Sequence, residues 1–359
     1  MNFASDNAAG AAPEILEAIA SSSRENAPAY GADDRTSRAA AKLGDVFETK
    51  AQVFFVATGT AANALALASL AQPFEAVFCH EEAHIHDDEC AAPEFFTGGA
   101  KLVGVPGEGG KVTPEALRAA LERFPRGLEK SPQPGALSLS QATESGTVYT
   151  VDEIAELSSV ARAAGIGVHM DGARFANALA ASGVSPADMT WRAGIDALSF
   201  GATKNGALAC EAVVFFDSVR ATNFAYRRRR GGHTLSKGRF LGAQMEAYLE
   251  DGLWLKLAER ANAAARRLSA GLAMTPGVRL AWPTEANEVF VVAPSATVAA
   301  WRTGGAAFHE WSARSVAADR APGEGETMVR LVASFETTDE EIDRLLMIGC
   351  GGERRANAP

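Results

Sequence analysis

Apolar and polar positions along this chain fall into short blocks with two kinds of spacing. Mostly apolar runs at residues 52–56, 76–79, 101–105, 136–139, 165–170, 197–200 and 212–216 predict buried strands. Between them, helical spacing runs over 13–21, 61–70, 117–124 and 151–164. Strands alternating with helices predict an α/β fold with a mostly parallel sheet covered on both faces. Ligands of such sheets sit beyond the carboxyl ends of the strands. Thr60, His84, Asp171 and Lys204 each follow a predicted strand at that end.

Beyond residue 250 the pattern changes. A long Ala- and Arg-rich helix over 254–272 leads to apolar runs at 287–292 and 328–332, and the Pro/Gly/Glu stretch 321–327 reads as a loop. The expected organisation is therefore an N-terminal segment with a large α/β domain over 1–250 and a small α+β domain over 251–359.

Composition narrows the class of partner. Of 359 residues, 47% are hydrophobic and 22% charged, which is globular and not disordered. A net charge of −10 argues against nucleic acid or an anionic membrane as a general partner. The run Arg227 to Arg230 is local, and its default reading is a solvated helix end. Cys79, Cys90, Cys210 and Cys350 show neither CxxC nor metal-ligand spacing, as in a reducing compartment. The first residues lack a basic, then apolar, leader pattern, and no apolar run approaches a membrane span. A soluble, cytoplasmic protein is expected, with no metal site.

Two pieces carry the chemistry: VHMDGAR, with Asp171 and Arg174, and SFGATKNG, with Lys204. An acid and an amine at neighbouring strand ends suit pyridoxal phosphate, which needs a Lys for its Schiff base and an Asp at its ring nitrogen. Asp171 also reads as a cap for the Gly172 turn, and Lys204 as a solvated loop lysine. Small neighbours at Gly201, Ala202 and Gly206 favour the functional reading, because crowding limits hydration of the amine. The turn Thr58-Gly59-Thr60 opens a helix and can receive a phosphate at its positive end. His84, in a His- and acid-rich stretch, can stack on a ring and exchange protons.

Taken in order, Ser5-Asp6-Asn7, Tyr30-Gly31, Thr58 to Asn63, Ala83-His84, His169 to Arg174, Thr203-Lys204 and Val329 to Leu331 resemble the low-specificity L-threonine aldolase and L-phenylserine aldolase family. The resemblance implies a fold-type I pyridoxal-phosphate enzyme, similar to aspartate aminotransferase in architecture. By it, Lys204 carries the cofactor, Asp171 pairs with the ring nitrogen, and His84 stacks on the ring. Gly59, Thr60 and Thr203 match phosphate-binding positions, and Ser5, Arg174 and Arg330 match those that hold a substrate carboxylate. Arg230 and Arg239 resemble residues that reach a neighbouring subunit's phosphate, and Tyr30 one near a shared site. A homodimer or homotetramer with shared active sites follows from the same resemblance.

Many relatives carry Thr-His-Asn-Gly where this chain has Thr143-Glu144-Ser145-Gly146, on the phenylserine-aldolase side of the family. The base is therefore His84 or Glu144. The expected reaction is reversible cleavage of an L-β-hydroxy-α-amino acid, such as L-threonine, L-allo-threonine or L-phenylserine, to glycine and an aldehyde. The competing readings are a β-eliminating lyase, racemase or aminotransferase of the same fold, and a non-catalytic cofactor-binding protein.

Overall fold

The computed structural model describes residues 1–351; residues 352–359, at the end of the expected C-terminal domain, lie outside the described residues. Seven strands form the larger sheet: β1 (Gln52–Val56), β2 (Glu75–His80), β3 (Lys101–Val105), β4 (Gln133–Ser140), β5 (Gly167–Gly172), β6 (Ala197–Gly201) and β7 (Glu211–Phe215). Their order is β1-β7-β6-β5-β4-β2-β3. Strands β2 to β6 run parallel, whereas β7 is antiparallel to both β6 and β1. The reversal has a simple cause: residues 202–210 are too few for the crossover a parallel return needs.

The sheet separates two apolar layers. Phe47, Leu137, Met170, Phe200, Tyr248 and Trp254 pack on one face, and Leu65, Val77, Val213, Phe215 and Phe224 on the other. The helix Gly59–Leu70 is buried on nearly every side, including Asn63, so it is a core element and not a surface helix. Thr58 caps it, its side chain accepting the N–H of Ala61 at 3.2 Å.

A second, antiparallel sheet has the order β10-β11-β9-β8, from β8 (Arg279–Leu280), β9 (Glu288–Pro294), β10 (His309–Glu310) and β11 (Glu326–Val332). The helices Leu253–Ala273, Ser295–Thr303 and Asp339–Gly349 cover it around Leu268, Val291, Trp301, Leu331 and Leu345. The start of the chain joins this layer. Phe3 is buried in its core, its N–H donates to Ala307 O at 2.8 Å, and its carbonyl accepts the N–H of Val332 at 2.9 Å. That attachment carries Ser5 to Asn7 across to the larger sheet. Among the described residues, no helix is long and apolar enough to cross a membrane.

The predicted strands each fall on an observed one, and the helix expected over 117–124 is Pro114–Glu122, opened by the Thr113 cap. The expected loop 321–327 ends early, because Glu326 and Thr327 already pair in β11. Helices Asp34–Val46, Phe175–Ser182, Arg239–Leu249 and Asp339–Gly349 were not predicted.

Close backbone approach fixes the end of the sheet that matters. A Cβ on Gly201 would stand 2.6 Å from Ala173 O and 2.7 Å from Ala173 Cα, so β6 and the turn after Asp171 touch through a glycine. Backbone atoms cannot step aside as a side chain can. Gly201→Ala is expected to lower the unfolding free energy by about 1–3 kcal/mol, the usual cost of overpacking. Urea denaturation checks this; an unchanged midpoint would refute the contact argument.

Candidate active site

At the carboxyl ends of the parallel strands lies a cavity of about 310 Å³, and Asp171, Lys204, His84 and Glu144 all line it. Asp171 enters from the end of β5. Its Oδ1 accepts the N–H of Ala173 at 3.0 Å, and its Oδ2 accepts from Asn63 Nδ2 at 2.8 Å. The same Asn63 nitrogen donates to Glu89 Oε1 at 2.9 Å, and that oxygen stands 2.8 Å from His84 Nδ1. A carboxylate only accepts, so Nδ1 carries the hydrogen and Nε2 is left to exchange a proton. The Glu89 bond raises the His84 pKa, against the opposite pull of burial.

Glu89 is buried, and the two residues after it, Cys90 and Ala91, hold left-handed backbone at φ 49° and 58°. Neither is glycine, so the turn that aims Glu89 inward is strained. Two residues before Asp171, His169 lies wholly buried between Ser138 Oγ at 2.9 Å and Ser199 Oγ at 3.0 Å. Burial pushes its pKa down to about 4, so it is neutral.

Lys204 sits in the single turn Thr203–Asn205 after β6. Asn205 anchors that turn, donating to Tyr248 Oη at 2.7 Å and to Trp254 O at 2.8 Å. Thr203 Oγ1 accepts the N–H of Cys210 at 3.1 Å. Opposite lies the opening of the helix Gly59–Leu70, whose first N–H groups have no partner within the helix. No atom stands within 4 Å of where a Cβ on Gly59 would point, so the approach to that helix end is open. Thr58, Gly59, Thr60 and Thr203 all line the same cavity as Lys204 and Asp171.

The residues present fit pyridoxal phosphate. An amine, a fixed acid, an aromatic ring and an open helix end surround one space, and Asn63 Oδ1 and Glu89 Oε2 are buried there without a hydrogen-bond partner.

Two of the three expected carboxylate-binding residues, Arg174 and Arg330, belong to one charged cluster with Asp6 and Glu288. Arg174 is buried, with Nε 2.7 Å and Nη2 3.1 Å from the Asp6 carboxylate and Nη1 3.3 Å from Glu288. Arg330 lies 4.1 Å from the centre of the Trp311 ring, its Nη1 3.8 Å from Glu288 and its Nη2 3.4 Å from Ala4 O. Ser5 follows Ala4, which Arg330 touches, and precedes Asp6, which Arg174 holds; its Oγ accepts the N–H of Asn7 at 3.1 Å. Burial works to raise the Asp6 pKa, but Arg174 and Lys204 together hold it low.

Three expected residues lie elsewhere in this chain. Arg230 is exposed at the end of the helix Phe224–Arg230. Arg239 donates to Ser22 O at 3.2 Å, and Tyr30 is half exposed under Arg229, which is 4.6 Å from its ring centre. None of them lines the cavity.

Sequence reasoning gave no role to Asn63, Glu89, Glu211, Asp6 or Glu288. Glu211 opens the apolar strand β7, lines the cavity, and accepts the N–H of Ala202 on Oε2 at 2.9 Å. A lone acid at the head of a wholly apolar run was a usable signal. Glu89 offered none, because acids crowd its stretch.

A profile of the beta-eliminating lyase family matches residues 2–295. The low specificity L-threonine aldolase of a Pseudomonas species (strain NCIMB 10558) is 46% identical over 308 residues, covering 86% of this chain and 88% of that protein. That of Pseudomonas aeruginosa is 43% identical over 344 residues, 96% of this chain and 95% of its own. The solved Leishmania major threonine aldolase superposes with a TM-score of 0.89 at 29% identity, over 97% of this chain and 98% of that one. A serine palmitoyltransferase from Sphingomonas wittichii shares the fold, with a TM-score of 0.70 at 15% identity over 98% and 86% of the two chains.

The Glu89 contact makes a direct prediction. Glu89→Gln keeps an acceptor but removes the charge beside the imidazole, so the His84 pKa falls. Titration of the ring by NMR reads this, and a variant titrating like the parent would show that Glu89 does not govern His84.

Proposed function

The chain belongs to the beta-eliminating lyase family, in the branch of the low-specificity L-threonine aldolases, and from that premise we propose that it reversibly cleaves the Cα–Cβ bond of L-β-hydroxy-α-amino acids to glycine and an aldehyde. Substrates in this reading include L-threonine, L-allo-threonine and L-phenylserine. The family depends on pyridoxal phosphate. One observation carries the reading: Lys204 and Asp171 share a cavity whose wall holds an imidazole anchored through Glu89.

In this proposal Lys204 Nζ would hold the cofactor, and Asp171, already braced by Asn63 and Ala173, would keep its ring nitrogen protonated. Thr58, Gly59, Thr60 and Thr203 would take the phosphate, and His84 the ring face. Bound there, pyridoxal phosphate supplies an electron sink for charge that develops at the substrate Cα. Arg330, Arg174 Nη1 and Ser5 bind the substrate carboxylate and thereby decide which bond at Cα faces the ring for cleavage. Arg174 is largely committed within the chain, Nε and Nη2 to Asp6 and Nη1 to Glu288 at 3.3 Å, so in this reading it shares Nη1 between Glu288 and the substrate while Arg330 is the freer guanidinium.

We assign the base role to His84 Nε2, which takes the proton of the β-hydroxyl as the aldehyde forms. Support comes from Glu89, which fixes the tautomer and raises the basicity of the ring. Glu144 faces the same space as a carboxylate and tunes which aldehyde side chain is accepted.

The phosphate end points to a second copy of the chain. Lys204 is the only Lys or Arg lining the cavity among the described residues, while Arg230 is exposed. A homo-oligomer in which Arg230, Arg239 and Tyr30 reach the neighbouring site completes the phosphate pocket.

Purified protein loaded with the cofactor should release glycine and aldehyde in equal amounts from L-threonine and from L-phenylserine, and Lys204→Ala should abolish both release and the covalent cofactor absorbance. Pyruvate and ammonia in their place would make the enzyme a β-eliminating lyase. His84→Asn should lower kcat by about 10²–10⁴, the usual contribution of a general base, and remove the acidic limb of the pH profile of kcat/KM. Glu144→Gln should keep that limb; the opposite pattern moves the base to Glu144.

A further inference from the structure

Glu211 sits where an anion has to enter. In register it pairs with Val56 on β1 and with Gly201 on β6. Both neighbours are the last residues before the two phosphate-binding segments, Ala57 to Thr60 and Ala202 to Lys204. The carboxyl therefore stands between them, 7% exposed and facing the cavity. Oε2 is fixed by the N–H of Ala202. No ion pair reaches it among the described residues.

The surroundings do not neutralise it. From β1 and β6 its neighbours are Val56 and Gly201, which carry no charge. The turn after β6 brings the Thr203 hydroxyl and Lys204, β5 brings Asp171, and the helix Gly59–Leu70 brings the amide of Asn63. Across the cavity stand His84, Glu89 and Glu144. A phosphate entering between these two segments thus meets the Glu211 carboxyl beside Lys204, with the acids Asp171, Glu89 and Glu144 lining the same cavity.

We propose that Glu211 is a proton-linked part of the phosphate cradle: it takes up one proton from solvent when the cofactor phosphate enters, which couples cofactor affinity to pH through this residue. The proposal rests on the pyridoxal-phosphate reading of the cavity. The proton goes to the oxygen not held by Ala202, and the acid form removes the repulsion and gains a hydrogen to donate. Burial pushes this carboxyl up to about 7, with Asp171 adding to the rise and Thr203, Ala202 and Lys204 opposing it. A neighbouring dianion raises it further. The sign follows: below pH 7 Glu211 is already protonated and affinity is unaffected, and above pH 7 binding must draw a proton, so affinity falls.

The test titrates apo protein with pyridoxal phosphate across pH 6–9, for the parent and Glu211→Gln, with unphosphorylated pyridoxal as a control. The ratio of parent to variant Kd is expected to rise about tenfold per pH unit above 7 for pyridoxal phosphate and to stay flat for pyridoxal. Calorimetry of the parent alone, in two buffers of different ionisation enthalpy at pH 8, keeps the question open to test if the variant does not fold. It should count close to one more proton taken up with pyridoxal phosphate than with pyridoxal. A flat ratio, a ratio that rises equally with pyridoxal, or equal proton counts would overturn the role of Glu211. Failure of the parent to bind pyridoxal phosphate at any pH would overturn the cofactor reading instead.

Discussion

One side-chain amide holds the site together. Asn63 donates to Asp171 at 2.8 Å and to Glu89 at 2.9 Å, so two buried carboxylates share a single nitrogen. At close range in a poorly polarisable interior their repulsion is large, and the bridging donor makes the arrangement tolerable. Asn63 can serve because its helix cannot move: Gly59–Leu70 is enclosed on nearly all sides and starts at the Thr58 cap. From that rigid helix the chain of contacts runs on through Glu89 to His84. Asp171 and His84, the proposed partners of the cofactor ring, are thus set by one element, which also opens toward the cavity.

A second charged chain ties the two sheets together. Asp6, Arg174, Glu288 and Arg330 alternate in sign and come from the N-terminal segment, the turn after β5, β9 and β11. Buried pairs of this kind contribute little net stability over an apolar packing, but each is strongly disfavoured when one partner is lost. What they fix is position. Burial raises the Glu288 pKa while Arg174 and Arg330 pull it down, so the carboxylate is the hub that keeps two guanidinium groups close. The small sheet is thereby registered against the large one beside the cavity, at the cluster proposed above to bind a substrate carboxylate.

The sequence displayed the strands plainly because strands buried on both faces are short solid apolar runs. It hid β8 and β10, which are two residues each and carry no period. Helix Asp34–Val46 escaped notice because its apolar stripe is narrow and its charges are many, including Arg35 and Arg38, which pair with Glu246 far along the chain. Asp171 and Lys204 were legible from their places after strands. Glu89 was not, since its meaning comes from a donor that the fold supplies, Asn63; Glu211 showed as a lone acid heading an apolar run, but its partner, the Ala202 N–H, did not. The commitment of Arg174 to Asp6 spans 168 residues and no local pattern encodes it.

The two ends of the cavity are finished to different degrees. At the ring end Asp171, Glu89 and His84 are joined in one chain of hydrogen bonds through Asn63. At the phosphate end the chain supplies threonines, an open helix start and Lys204, but also Glu211. Two things can balance that carboxyl: a proton, or a guanidinium from a second copy, as with the exposed Arg230. They oppose one another, because a guanidinium beside Glu211 favours its charged form and so releases the proton that a phosphate draws in. A proton count close to one at pH 8 would therefore mean that no guanidinium of a second copy stands beside Glu211.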